Sequence, residues 1–283
     1  MAVEKARAIV LRTFPFGDSS SVVTIFTREC GKLRALAKGA WRPKSAFDAA
    51  LDLLSICQVL VLRRASGGLD LLTEAFLEHR FRVGRSQAAF LGGMHVAELV
   101  DCLTAEGDPL PELFDVATAT LRILSAPLPV HGELHERHAA PAGRAHISDG
   151  RVRAVVTRGE LAMLRAAGHG PSLDACAECT AAVSGGSRIA FGVLDGGVLC
   201  GRCRRGKRAV VGVSAECLAA LRLLAAAGDG WRSLDPSPAV EAEVRAVMNT
   251  LLSHLLGKRD RKSTTSELQS RVDISYAVFC LKK

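Results

Sequence analysis

No window of the 283-residue chain holds the ~18 consecutive apolar residues that a membrane-spanning helix needs. Even the Ala/Leu-rich stretch 213–227 is interrupted by Glu216 and Arg222, so an integral membrane protein is not expected. The opening MAVEKARAIVLR is too poor in apolar residues for the ~7 to 15 that form the core of a secretory signal. A cytoplasmic protein is expected. A disulfide scaffold is equally out of place, because nine cysteines is an odd number, in a long chain with no secretory signal. The thiols are left for metal. Acidic residues are also outnumbered, 29 against 37 basic ones, and the formal charge of +8 points to a polyanionic partner such as nucleic acid or anionic lipid.

What remains is ordinary globular composition, 48% hydrophobic and 23% charged, in a chain long enough for two or three domains. Residues 5–78 read as five short strands, Ala6–Arg12, Ser21–Thr27, Lys32–Lys38, Ile56–Arg63 and Leu69–Phe76, broken at Gly17-Asp18, Cys30-Gly31 and Gly67-Gly68. Five such strands predict a small closed barrel over residues 1–78. After Phe81 the pattern turns helical, over Ser86–Leu103 and again after Pro109 with Leu113, Val116, Ala117, Thr120, Leu121 and Leu124 on one face. Residues 126–150, with three prolines and four histidines, read as a loop closing through an Asp149-Gly150 hairpin. Helical pattern returns over Glu160–Ala167 and Ser214–Ala227. It ends in an amphipath with Val240, Val244, Val247, Met248, Leu251, Leu252 and Leu255 on one stripe. The expected architecture is α+β and multidomain: the barrel, then a helical domain over 79–283 with a cysteine-bearing insertion at 173–208.

Cys176-Ala-Glu-Cys179 and Cys200-Gly-Arg-Cys203 are two C-x-x-C pairs separated by 20 residues, a spacing that reads as a zinc site. Two intervening residues let one tight turn aim both sulfurs at one ion, and two such knuckles complete a tetrahedron. Four thiolates leave no position for water, so the predicted Zn2+ is structural. Gly196, Gly197 and Gly201 suit turns with positive φ. Cys30, Cys57, Cys102, Cys217 and Cys280 stand singly and read as small buried residues.

Three near-motifs fail on chemistry. His131-Gly-Glu133 before Cys176 imitates a zinc deaminase signature, but Ala175 stands where that signature has proline. His135-Glu-Arg-His138 is one residue short of the i, i+4 spacing with which H-E-x-x-H binds zinc. In Gly201-x-x-x-x-Gly206-Lys207, Arg208 replaces the Ser or Thr of a phosphate loop, so no nucleotide site and no catalytic residue follow.

Basic residues gather at Arg28, Lys32, Arg34, Lys38, Arg42 and Lys44, against the single acid Glu29. On a strand, period two places Lys32, Arg34 and Lys38 on one face and Leu33, Ala35 and Ala37 on the other. Trp41 lies among them, which suits a stacking platform beside phosphate contacts. A strand edge guarded against aggregation by Lys and Arg fits the same pattern. Two further clusters, Arg202, Arg204, Arg205, Lys207 and Arg208, and Lys258, Arg259, Arg261 and Lys262, lie towards the C terminus.

The segment AIVLRTFPFGDSSSVVTIFTRECGKLRALAKGAWRPKS, residues 8–45, resembles the opening of the RecO family of bacterial recombination mediators, and GPSLDACAEC with GGVLCGRC resembles that family's zinc knuckles. The resemblance implies an OB-fold barrel, a helical domain and a zinc-ribbon-like four-cysteine element, in a protein that binds single- and double-stranded DNA. It implies annealing of complementary strands and action with RecR, and in many bacteria RecF, to load recombinase on DNA coated by single-stranded-DNA-binding protein, near the nucleoid and without enzymatic chemistry. By position it implies DNA contact by Lys32, Arg34, Lys38, Arg42 and Lys44. The competing expectation is a zinc-ribbon interaction or transcription-type module without annealing activity. Gly159-Glu160-Leu161 departs from the family, which usually has an aromatic before Glu-Leu.

Overall fold

The computed structural model describes residues 2–43, 45–64, 68–84, 86–125, 148–183 and 186–260. Lys44, His131, Glu133, His135, His138, Arg261, Lys262 and Cys280 lie outside the described residues. Two compact units divide the chain, 1–159 and 160–283.

The first unit is built on five strands, β1 Ala2–Phe16, β2 Ser20–Thr27, β3 Gly31–Ala37, β4 Ile56–Arg63 and β5 Asp70–His79. They close in the order β1-β2-β3-β5-β4, with β3 and β5 parallel and every other pair antiparallel. This is the five-stranded Greek-key closure of an OB-like barrel. Ala6, Ala8 and Val10 of β1, Val23 and Ile25 of β2, and Leu33, Ala35 and Ala37 of β3 fill the interior with Cys57, Val59, Val61 and Leu72. Small residues dominate this set because the barrel bore is narrow.

At 15 residues, β1 is long enough to serve two neighbours, β4 through Ala2–Ile9 and β2 through Ala8–Phe16. A bulge between Val10 and Arg12 bends it from one partner towards the other. The extra residue also inverts the facing: Ala6, Ala8 and Val10 point inward, whereas Arg12, Phe14 and Phe16 pair with the outward Thr24, Val22 and Ser20.

Helix α1 Gln87–Leu103 is capped by Ser86, whose Oγ accepts from the Ala89 N–H at 3.1 Å. With α2 Pro111–Ser125 it packs in the same unit as the barrel. Phe26 of β2 and Phe114 of α2, both fully buried, lie 5.9 Å apart between ring centroids. Gly31 opens β3 at φ 73°, and a Cβ there would meet the Asp108 carbonyl oxygen at 2.3 Å, so only glycine fits.

Helix α3 Asp149–Ala166 corrects the expected hairpin at Asp149-Gly150 and starts well before Glu160. Ser148 begins it, its carbonyl accepting from the Val152 N–H at 2.9 Å. The apolar Val152, Val155 and Val156 in its first turns are buried. Gly159 is compatible with its place because a Cβ there would come within 2.8 Å of Thr120.

The second unit holds β6 Arg188–Gly192, β7 Gly197–Leu199 and β8 Val210–Ser214, a three-stranded sheet in the order β7-β6-β8. Helices α4 Ala215–Ala225 and α5 Pro238–Asp260 follow and pack on each other. Val240, Val244, Val247, Met248, Leu251 and Leu252 of α5 are buried, as the stripe predicts, whereas Leu255 is half-buried and Leu256 is buried in the last turns.

Candidate nucleic-acid face and metal centre

The outward face of β1–β2–β3 carries the first candidate site. Register sets its rows: Phe14–Val22–Leu36 forms an apolar strip across three strands, Arg12–Thr24–Arg34 lies on one side, and Phe16 pairs with Ser20 on the other. Phe14 is 56%, Phe16 57% and Trp41 60% exposed, a large apolar surface to leave in water. The turn carrying Trp41 is fastened to the β1–β2 turn: the Trp41 N–H donates to Ser19 O at 2.9 Å, the Gly39 N–H to Ser20 Oγ at 3.2 Å and Arg42 Nε to Ser19 Oγ at 3.3 Å. Trp41 and Arg42 are thereby held at the end of the barrel where Phe16 emerges.

The basic residues of this region sort into two groups. Arg28 makes a forked pair with Asp115, Nε at 3.0 Å and a second nitrogen at 3.1 Å, which raises its pKa further. Lys32 departs from the exposed stripe: its side chain is 13% exposed, and Nζ donates to Asp101 Oδ1 at 2.9 Å and to the Asp101 carbonyl at 2.7 Å. Arg12 reaches the other Asp101 oxygen, so one carboxylate of α1 ties β1 and β3 to the helix. The Gly107 N–H donates to the Lys32 carbonyl at 3.0 Å in the same joint. Arg34, Lys38 and Arg42 are exposed and pair with no carboxylate among the described residues. Lys38 lies in the turn just past β3. Sequence reasoning missed Phe14 and Phe16; their i, i+2 spacing just before Gly17-Asp18 puts them on one face but does not say which.

The second site is the cysteine cluster. The Thr180 N–H closes the first knuckle on the Cys176 carbonyl at 2.9 Å, and the Arg204 N–H closes the second on the Cys200 carbonyl at 3.1 Å. All four sulfurs, of Cys176, Cys179, Cys200 and Cys203, lie within 4.8 Å of one another. Cys179 and Cys200 Sγ are 3.7 Å apart, against about 3.8 Å for thiolates on a tetrahedral ion with ~2.3 Å bonds. The donor set therefore fits a metal ion. Backbone N–H groups of Cys179, Cys200 and Glu178 favour the Cys176 thiolate and pull its pKa down to about 6.

Two devices hold the knuckles together. Ser172 pairs with the β7 start, its N–H donating to Gly196 O and its carbonyl accepting from Val198 N–H, each at 2.8 Å. Gly196 has φ 70°, and a Cβ on Gly197 would strike the Ser172 carbonyl at 2.3 Å. Gly201 meets no such demand; the positive φ lies instead at Gly206, 74°. Lys207 bridges Asp195 at 2.8 Å and Glu178 at 3.0 Å, and these carboxylates push its pKa well up. Among the single cysteines, Cys57 and Cys217 are buried and pushed up to about 12 by burial, whereas Cys30 is half-buried with its thiol on Glu4 at 3.0 Å.

No helix among the described residues is long and apolar enough to cross a membrane. The family model described as Recombination protein O N terminal matches residues 1–81, and that of the Recombination protein O C terminal matches residues 146–265. A DNA repair protein RecO of Rhodopirellula baltica is 33% identical, over 90% of this chain and 95% of its own length. The protein of that name from Anaeromyxobacter dehalogenans is 34% identical over 90% of this chain and 92% of its own length, and that from Salinibacter ruber 31% over 89% and 88%. An OB-like barrel, a helical region and a four-cysteine cluster in this order, matched at both ends by one family's models, make the chain a member of the RecO family of DNA repair proteins.

Proposed function

We propose that the chain is a DNA-binding recombination mediator. Its barrel binds single- and double-stranded DNA, promotes annealing of complementary strands, and helps load recombinase together with RecR, and RecF where it is present, on strands covered by single-stranded-DNA-binding protein. It acts in the cytoplasm at the nucleoid. The observation that carries this reading is the outward barrel face, where Phe14, Phe16 and Trp41 stand exposed beside Arg34, Lys38 and Arg42. Aromatic faces stack on any unpaired base and cations neutralise phosphate, a combination that binds without sequence preference.

The metal is Zn2+, one per chain, held by Cys176, Cys179, Cys200 and Cys203. Soft thiolates in a tetrahedron suit zinc, and four protein ligands make the site structural. The protein makes and breaks no covalent bond. Annealing needs only that two polyanions be brought together on a cationic surface that lowers their repulsion.

The test is salt-dependent binding of oligonucleotides by the Arg34→Ala/Lys38→Ala/Arg42→Ala variant. Each lost phosphate contact removes about 0.7 from the slope of log K against log salt on single strands, so three remove about 2. A folded variant with wild-type affinity and slope would overturn the barrel assignment and leave those residues as a guarded strand surface.

A further inference from the structure

We infer that the second zinc knuckle carries a nucleic-acid surface of its own, formed by Arg202, Arg204, Arg205 and Arg208, none of them a barrel residue, with backbone phosphates as its ligand. The inference rests on the reading of the chain as a strand-annealing protein and adds to it a place for the second strand.

From Cys200 to Ser214 the chain has five basic residues and no acidic one. The structure divides the five by role. Lys207 turns inward onto Asp195 and Glu178, which joins the second knuckle to the first. That pairing engages two nearby carboxylates. Arg202, Arg204, Arg205 and Arg208 remain exposed, and none has a hydrogen bond or ion pair from its guanidinium to any described residue. Four unpaired guanidinium groups within seven residues repel one another, and a solvated protein surface gains nothing from that arrangement. Arg204 lines a groove of ≈190 Å³ together with Cys200 and Gly201. The other arginine there, Arg188, is engaged with the Gly212 carbonyl at 2.6 Å and with Glu243 at 3.4 Å, so Arg204 supplies the available charge.

The competing explanation is internal. A divalent ion with four thiolates is formally a dianion, and cations near it offset that charge. The geometry favours the external role: the sulfur of Cys176 is served by the Cys200 N–H at 3.4 Å, and no guanidinium of the four reaches a sulfur. Guanidinium is also the group best matched to phosphate, by its fork of donors and weak hydration.

Two cationic surfaces on one chain let a single molecule hold two strands. The experiment uses the full zinc-loaded chain, a variant with Arg202, Arg204, Arg205 and Arg208 all changed to Ala, a second with the same four changed to Lys, and the barrel variant Arg34→Ala/Lys38→Ala/Arg42→Ala. Strands of a short homopolymeric oligonucleotide bound per chain are counted by sedimentation, zinc content is measured, and annealing of complementary oligonucleotides is timed. The expected result is two strands per wild-type chain and one per alanine knuckle variant, with full zinc and annealing slowed at least tenfold, and recovery of the second strand in the lysine variant. A knuckle variant that keeps two strands and wild-type annealing overturns the inference, as does one that loses zinc in proportion to its loss of DNA. Failure of the barrel reading looks different: the barrel variant then keeps both strands while the knuckle variant still loses one.

Discussion

At the scale of single residues, charge alone misleads about role, and partners decide it. Lys32 and Arg34 are two apart on one strand face, yet Lys32 lies against Asp101 while Arg34 stands in solvent. Asp101 serves Arg12 and Lys32 together, so Asp101→Ala leaves two cations with no counter-charge in a half-buried joint. Charge-assisted hydrogen bonds of this kind are worth roughly 1.5–3 kcal/mol, and some screening applies because Asp101 is 19% exposed. Asp101→Ala is expected to cost about 2 kcal/mol in urea unfolding with DNA affinity unchanged at temperatures where it is folded. Lys32→Ala is expected to lower stability more than affinity, whereas Arg34→Ala lowers affinity alone. Glu78 gives a pH dependence. Burial acts to raise its pKa, but hydrogen bonds from Arg7 and Gln58 and the charges of Arg7 and Arg122 prevail and hold the carboxyl below the usual range. A depressed carboxylate stabilises the fold above its unfolded pKa and loses that contribution as pH falls through the folded value. Glu78→Gln is therefore expected to flatten the acid limb of the stability curve, measured by unfolding from neutral pH downward, and a limb that keeps its wild-type slope would count against this.

At the scale of elements, the knuckles illustrate how much a short segment depends on its metal. The apolar cluster around the sulfurs is small, Cys176, Ala190 and Leu199 with partly buried Val183 and Val210, too little to stabilise the two turns, although the three strands also bury Ile189, Phe191, Val198 and Val213. Cys200→Ser/Cys203→Ser is expected to empty the site and loosen the second unit. Zinc assay and hydrogen exchange over residues 172–214 are the checks, and full zinc occupancy in that variant would falsify the four-thiolate assignment. This element was legible in the sequence because C-x-x-C spacing encodes a local turn, and the five strands were legible because turn residues punctuate them. The bulge in β1 was not. Strict alternation from Ala6, Ala8 and Val10 places Phe14 and Phe16 inside the barrel, and only the extra residue between Val10 and Arg12 turns them out. A bulge depends on pairing with two other strands, which no local pattern records. The start of α3 at Asp149 was obscured in the same way, since Asp-Gly reads locally as a hairpin while the helix is held by buried Val152, Val155 and Val156.

At the scale of the whole molecule, the barrel's outer surface is divided between a covered and an open part. Phe26 lies under Phe114, and the Arg12–Asp101–Lys32 joint closes the same side, so α1 and α2 occupy one region of the first unit's barrel. Phe14, Phe16 and Trp41 remain in water on the outward face beyond it. Stacking on aromatic rings requires unpaired bases, whereas phosphate contact is available from either strand type. The two contributions are thus separable by substrate. Phe14→Ala/Phe16→Ala/Trp41→Ala is expected to weaken binding to single strands by about 1–3 kcal/mol for each base that loses its ring, and to leave duplex binding nearly unchanged. Its salt slope should stay at the wild-type value, since no cation is removed. Arg34→Ala/Lys38→Ala/Arg42→Ala is expected to do the reverse, reducing the slope for both substrates by similar amounts. Fluorescence of Trp41 in a Trp231→Phe background gives a direct reading, because the buried Trp231 is the second indole of the chain and base stacking quenches the first. Quenching by a single-stranded oligonucleotide and not by duplex supports stacking at this face. Equal loss of single- and double-strand affinity in the aromatic variant, with Trp41 unquenched, would show that the rings shape the surface for the cations and do not themselves touch the bases.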